Sequence, residues 1–88
     1  MARGLVLVAD DEEKIARMVG SYLEASGFEA ALAFDGLAAL AAFRERKPDL
    51  AVLDISMPGL DGLELAREIR RYSDLPVIFL TARAEEAD

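Results

Sequence analysis

Leu50-Ala51-Val52-Leu53 is a run of four apolar residues with turn residues on both sides. Pro48-Asp49 precede it, and Asp54 leads out of it into Met57-Pro58-Gly59. A run this short, bounded this way, reads as a strand covered on both faces, the environment of a parallel sheet. Leu5 to Ala9 and Val77 to Leu80 are runs of the same kind, and Phe28 to Phe34 is a weaker, Ala-rich strand suited to a sheet edge. Between them the period lengthens. Ile15, Met18, Val19, Tyr22 and Leu23 form one helical stripe, closed by Gly27. Leu37, Leu40 and Ala41 mark one side of a helix from Leu37 to Arg46, which Pro48 stops. Ala66, Ile69 and Tyr72 continue a third helix from Gly62 to Tyr72.

Helix starts are signalled as well. Asp10 or Asp11 can cap the first helix, Asp35-Gly36 punctuates the second, and Asp61 with Glu64 has capping-box spacing for the third. Ser73 to Pro76 is a loop, and Ala82 to Asp88 has the pattern of a further helix beginning. The order βαβαβαβ without repeats or a linker predicts one α/β domain: a doubly wound parallel sheet, helices on both faces, right-handed crossovers.

Composition narrows the function. A net charge of −7 on 88 residues argues against a general nucleic-acid surface, which needs clustered Lys and Arg. With no Cys and no His, thiolate sites, imidazole catalysis and a phosphohistidine acceptor within the chain are all excluded. No apolar run approaches the ~20 residues of a membrane span. Met1-Ala2-Arg3-Gly4 lacks the shape of a signal peptide, so the expectation is a soluble cytoplasmic protein without a membrane partner.

The chemistry gathers at the ends of strands. Asp10 and Asp11, Asp54, and Thr81 each follow an apolar run, and parallel strands deliver such residues to one edge. Each has a plainer reading: an Asp pair before a helix is often a cap, and a Thr after a strand is usually a turn residue. Asp54 resists it, because an acid ending so apolar a strand is costly to bury unpaired. Two carboxylates ~4 Å apart repel by about 4 kcal/mol at an effective dielectric of ~20, so the cluster must take a proton, a lysine or a cation. A few hard oxygen ligands suit Mg²⁺. Asp54 can then act as a carboxylate nucleophile toward phosphorus and form an acyl phosphate. The Thr81 hydroxyl would serve a phosphoryl oxygen, and Ala82 would leave room for its approach.

Asp10-Asp11-Glu12, the block from Asp54 to Gly62 (DISMPGLDG) and Pro76 to Arg83 (PVIFLTAR) together resemble the receiver domain of two-component response regulators. The resemblance covers the whole chain and implies a flavodoxin-like fold with strand order 2-1-3-4 for the strands present. It implies that Asp54 is the phosphoacceptor and that Thr81 is the switch hydroxyl. It also implies that Asp11, Asp10, Asp54 and the backbone carbonyl of Ser56 hold Mg²⁺. The implied partner is a sensor histidine kinase. The tail from Leu80 to Asp88 is most similar to the subfamily with a winged-helix DNA-binding output domain, so DNA contact and transcription regulation would come only through a domain outside this chain.

The family pattern also has a fifth strand, ending in a lysine, and a fifth helix, which the chain does not contain. The expectation is a C-terminally truncated receiver domain over residues 1–88, slowed in phosphotransfer, with its fourth strand exposed and self-associating. Lys14 and Lys47 are the only lysines, and Lys14 reads as part of a solvated helix face. Not an enzyme is the primary reading. Two alternatives are an interaction module independent of phosphorylation and an aspartyl-phosphate phosphatase, which needs a second Asp where Ser56 stands.

Overall fold

A computed structural model describes residues 3–80. Its elements are β1 (Leu5–Ala9), α1 (Glu13–Ala25), β2 (Glu29–Ala33), α2 (Gly36–Arg46), β3 (Leu50–Asp54), α3 (Gly62–Arg70) and β4 (Val77–Leu80). All pairings are parallel, as the sequence pattern predicts, and the strand order is β2-β1-β3-β4, as the family resemblance implies. The segment from Ala82 lies outside the described residues.

The order explains the layers. The chain steps from β1 to β2 in one direction, then reverses across β1 to β3 and continues to β4. With right-handed crossovers, that reversal puts α1 on one face and α2 with α3 on the other. The cores follow this division. Leu7, Ala9, Ala51 and Leu53 face Ala39, Phe43, Leu65 and Ile69 of α2 and α3. Val6, Val8 and Val52 face Ala16 of α1, with Val19, Leu23 and Leu32 around them. β1 and β3 are thus apolar on both faces, which is why they appear as unbroken runs rather than alternating ones.

The helices end close to where the sequence places them, but their buried faces differ. In α1, Met18 and Tyr22 are 53% and 71% exposed, whereas Ala16 and Gly20 are buried. The stripe is rotated because close approach to the sheet selects the smallest residues. A Cβ on Gly20 would lie 3.0 Å from Leu32 Cδ2. In α2, Ala39 and Phe43 carry the packing with Leu40 half-buried beside them, whereas Leu37 (71% exposed) and Ala41 of the expected side face solvent. This helix is apolar almost all round, which leaves its periodicity uninformative. α3 ends at Arg70, and Tyr72 lies beyond it, exposed; Leu65 and Ile69 are the core residues.

Leu65 is fully buried, so Leu65→Ala is expected to destabilise the domain by about 2–5 kcal/mol. Leu37→Ala should change stability by no more than about 0.5 kcal/mol, with urea unfolding as the measurement. Equal losses would show that α2 presents a different face.

Candidate functional site

At the carboxyl edge of the sheet, β1 and β3 run out side by side. Val6 to Ala9 pair in register with Leu50 to Leu53, so the next residue on each strand is an aspartate: Asp10 and Asp54. Asp10 is held by its backbone and its side chain. Its N–H donates to the Ala33 carbonyl (3.0 Å), extending the β1–β2 ladder by one bond. Its Oδ1 accepts from the Glu12 N–H (2.9 Å), turning the chain toward α1. The residue at the N-cap position is Glu12, without a side-chain cap. The capping role expected of Asp10 or Asp11 is therefore replaced by this turn just ahead of the helix.

Asp54 stands where β3 meets its exit loop. The Ser56 N–H lies 3.4 Å from Asp54 Oδ1, a long hydrogen bond. Gly59 makes the loop's sharp turn at φ +76°. Two Asp-Gly pairs brace it. Asp61 and Glu64 form the expected capping box (2.9 and 3.1 Å), and Asp35 Oδ1 accepts from the Ala38 N–H (2.7 Å). The glycine of each pair touches backbone: a Cβ on Gly62 would lie 2.1 Å from the Asp54 carbonyl oxygen, and one on Gly36 would lie 2.1 Å from that of Leu60. The Gly62 N–H also donates to the Ile55 carbonyl (2.9 Å). The sequence marks both glycines as turn signals, and their second role as contact points is missed. Its signature is the repeated Asp-Gly at a helix start.

Carboxylate oxygens of Asp10, Asp11 and Asp54 all lie within 4.8 Å of one another. Asp10 is 3% exposed, Asp54 is half-buried and Asp11 is exposed. Burial raises the Asp10 carboxyl above its ordinary value of 3.8. The charges of Asp54, Asp11 and Glu12 add to the rise, and the hydrogen bond from the Glu12 N–H opposes it. Among the described residues no ion pair reaches these acids, and Lys14 is exposed on α1. Such a group of hard oxygen donors fits a small divalent cation that keeps part of its water shell. Ser56 is half-buried on the exit loop beside Asp54, whereas Thr81 lies outside the described residues.

Comparison with known proteins gives the family. Residues 6–88 match the family described as the response regulator receiver domain, and the chain belongs to that family. The transcriptional regulatory protein BaeR of Escherichia coli is 42% identical over 83 residues, which make up 94% of this chain and 35% of that protein. The chain therefore spans 35–38% of the length of the curated relatives it matches. The receiver domain of the Francisella response regulator 1452 superposes with a TM-score of 0.85 at 38% identity, covering 93% of this chain and 69% of that one. The Thermotoga maritima response regulator TrrA, solved in complex with Mg²⁺-BeF, gives 0.86 at 40% identity, covering 97% and 73%. Receiver domains belong to two-component signalling, and the relatives are transcriptional regulators. No described helix is long and apolar enough to cross a membrane.

The raised Asp10 carboxyl sets a pH dependence. Folded Asp10 binds its proton more tightly than the unfolded chain does, so its contribution to stability falls as pH rises from 3.8 through the raised value. Asp10→Asn mimics the neutral form and keeps the acceptor for Glu12. In metal-free buffer its stability advantage over the parent should grow as pH rises above about 4 and level off once the raised value is passed, measured by urea midpoints. A constant difference across that window would show that Asp10 is not the group responsible.

Proposed function

We propose that the chain is the phosphoacceptor module of a two-component system, taking a phosphoryl group from a sensor histidine kinase onto Asp54. The observation that carries this reading is the convergence of Asp10, Asp11 and Asp54 within 4.8 Å at the point where the winding direction of the sheet reverses. Open α/β sheets bind their ligands there.

In this reading an Asp54 carboxylate oxygen attacks phosphorus. A P–O bond forms as the P–N bond of the donor phosphohistidine breaks, and the leaving imidazole nitrogen keeps the electron pair and takes up a proton. Asp10, Asp11, Asp54 and the Ser56 carbonyl would hold Mg²⁺, whose positive charge supplies neutralisation of the phosphoryl oxygens. Asp10 anchors the cluster from its buried position, and the brace at Gly62 fixes the backbone from which Asp54 reaches out. Thr81 is assigned the switch hydroxyl by resemblance to the family. The output is transcription regulation through a DNA-binding domain, by analogy with BaeR, and the chemistry is that of a signalling acceptor rather than a turnover enzyme.

The chain incubated with Mg²⁺ and acetyl phosphate should gain one phosphoryl group by intact-protein mass spectrometry. The adduct should disappear in Asp54→Asn and on chelation. Mg²⁺ with beryllofluoride, a phosphoryl mimic, should raise the thermal midpoint of the parent alone. An adduct that persists in Asp54→Asn would overturn the acceptor, and no response to either reagent would favour an interaction module independent of phosphorylation.

Self-association belongs to the same reading. β4 is an edge of the described sheet, and its Ile78 and Phe79 are 52% and 39% exposed. Edge strands with apolar side chains pair readily with a second copy. Light scattering should show a mass that rises with concentration up to tens of micromolar, and Ile78→Lys should suppress the rise. A constant monomer mass would overturn this part.

A further inference from the structure

Most of the chain's cations gather at the opposite end of the sheet, interspersed with acids. Six of the ten Lys and Arg residues sit at the ends of two neighbouring helices: Arg44, Arg46 and Lys47 at the end of α2, and Arg67, Arg70 and Arg71 at the end of α3. Both helices lead back to the amino edge of the sheet, away from the aspartates. Between their ends lies a cleft of about 480 Å³ lined by Phe43, Arg44, Lys47, Pro48, Tyr72 and Ser73.

Cations at helix C-termini complement the helix dipole, which accounts for the arginines of the last turns. It does not account for the cleft. Phe43 and Pro48 are buried and contribute apolar lining, while Tyr72 leaves an aromatic ring 67% exposed. Among the described residues neither Arg44 nor Lys47 makes an ion pair, although the protein is strongly acidic; Arg46 and Arg71 do, with Glu29 and Glu68. Lys47 also adopts φ +48°, the left-handed conformation that a glycine would take without strain at a helix end. Ser73 Oγ accepts from the Leu75 N–H (3.1 Å), which leaves its hydroxyl hydrogen free to donate.

We propose that this cleft binds a small organic anion: an aromatic or apolar body carrying a carboxylate or phosphate. The body would lie against Phe43, Pro48 and Tyr72, and the anionic group would meet Arg44, Lys47 and the Ser73 hydroxyl. The volume is in the ~300–1,000 Å³ range of small-molecule sites, which are mostly apolar with a few placed polar groups. A flat electrostatic patch for a macromolecule would have no need of a concave aromatic lining. The site is separate from the aspartate cluster, so ligand at one end and cation at the other can be varied independently.

The test uses 2-naphthoate as the probe and ¹⁵N-resolved amide shifts of the 88-residue chain as the readout. Saturable shifts are expected at Phe43 to Asp49 and Tyr72 to Asp74, with a Kd below about 1 mM. Arg44→Glu combined with Lys47→Glu should weaken binding by at least about tenfold, as should replacing the probe with neutral 2-naphthylmethanol. Tyr72→Ala, at an exposed position, should weaken the naphthoate but leave the weak response to acetate unchanged. The response to Mg²⁺ with beryllofluoride should survive in every variant, showing that the fold is intact. Shifts centred on Ile78 and Phe79, no saturable shifts, or equal affinity in the charge-reversed variant would overturn the proposal. Displacement by a hexaglutamate peptide at concentrations well below that of the naphthoate would overturn it in favour of an acidic peptide partner.

Discussion

The pairing of β1 with β3 is the constraint on which the rest of the molecule depends. Four register pairs, Val6 with Leu50 through Ala9 with Leu53, set two strands from distant parts of the chain side by side. That pairing reverses the direction in which the sheet is wound and so decides which face each helix covers. It also brings Asp10 next to Asp54. A slip of one residue would turn the apolar set of β3 from one core to the other and carry Asp54 out of line. Core and site are therefore specified by the same register.

The register also concentrates negative charge. A buried Asp10 beside Asp54 and Asp11 is unfavourable for the fold taken alone, and burial with the neighbouring charges raises its carboxyl accordingly. The surrounding structure bears it through rigid backbone. The β1–β2 ladder continues through Asp10, and Gly62 presses α3 onto the carbonyl of Asp54. A site assembled this way is poised to gain stability when positive charge arrives, which makes cation binding and folding linked quantities. The coupling of an acidic edge to a rigid brace suits the proposed acceptor role, in which the attacking carboxylate would be placed before the ligand comes.

Cations are unevenly placed along the strand direction. The aspartate cluster lies where β1 and β3 end, and six of the ten Lys and Arg gather where α2 and α3 return to the strand beginnings. Parallel strands with returning helices separate these two groups by the length of the sheet, so the two sites proposed above would not neutralise each other. Of the apolar lining of the basic cleft, Phe43 also belongs to the core, whereas Tyr72 stands exposed outside it.

The sequence by itself determined the number, type and order of the elements, because short apolar runs and Asp-Gly or Pro punctuation report local preferences. It also singled out Asp10, Asp11 and Asp54, since acids that follow apolar strands stand out against their neighbours, and the fold brings these three together. The faces of the helices were decided only in three dimensions. Met18, Tyr22 and Leu37 look like core by hydrophobicity and are exposed, while Ala16, Gly20 and Ala39 are buried because the helices lie too close to the sheet for larger side chains. Gly36 and Gly62 belong to the same lesson. The Asp-Gly repeat at a helix start marks where to look, but only packing shows that the Asp54 carbonyl lies where a Cβ would have to be. Periodicity records what a residue prefers, whereas close approach records what its neighbours leave room for.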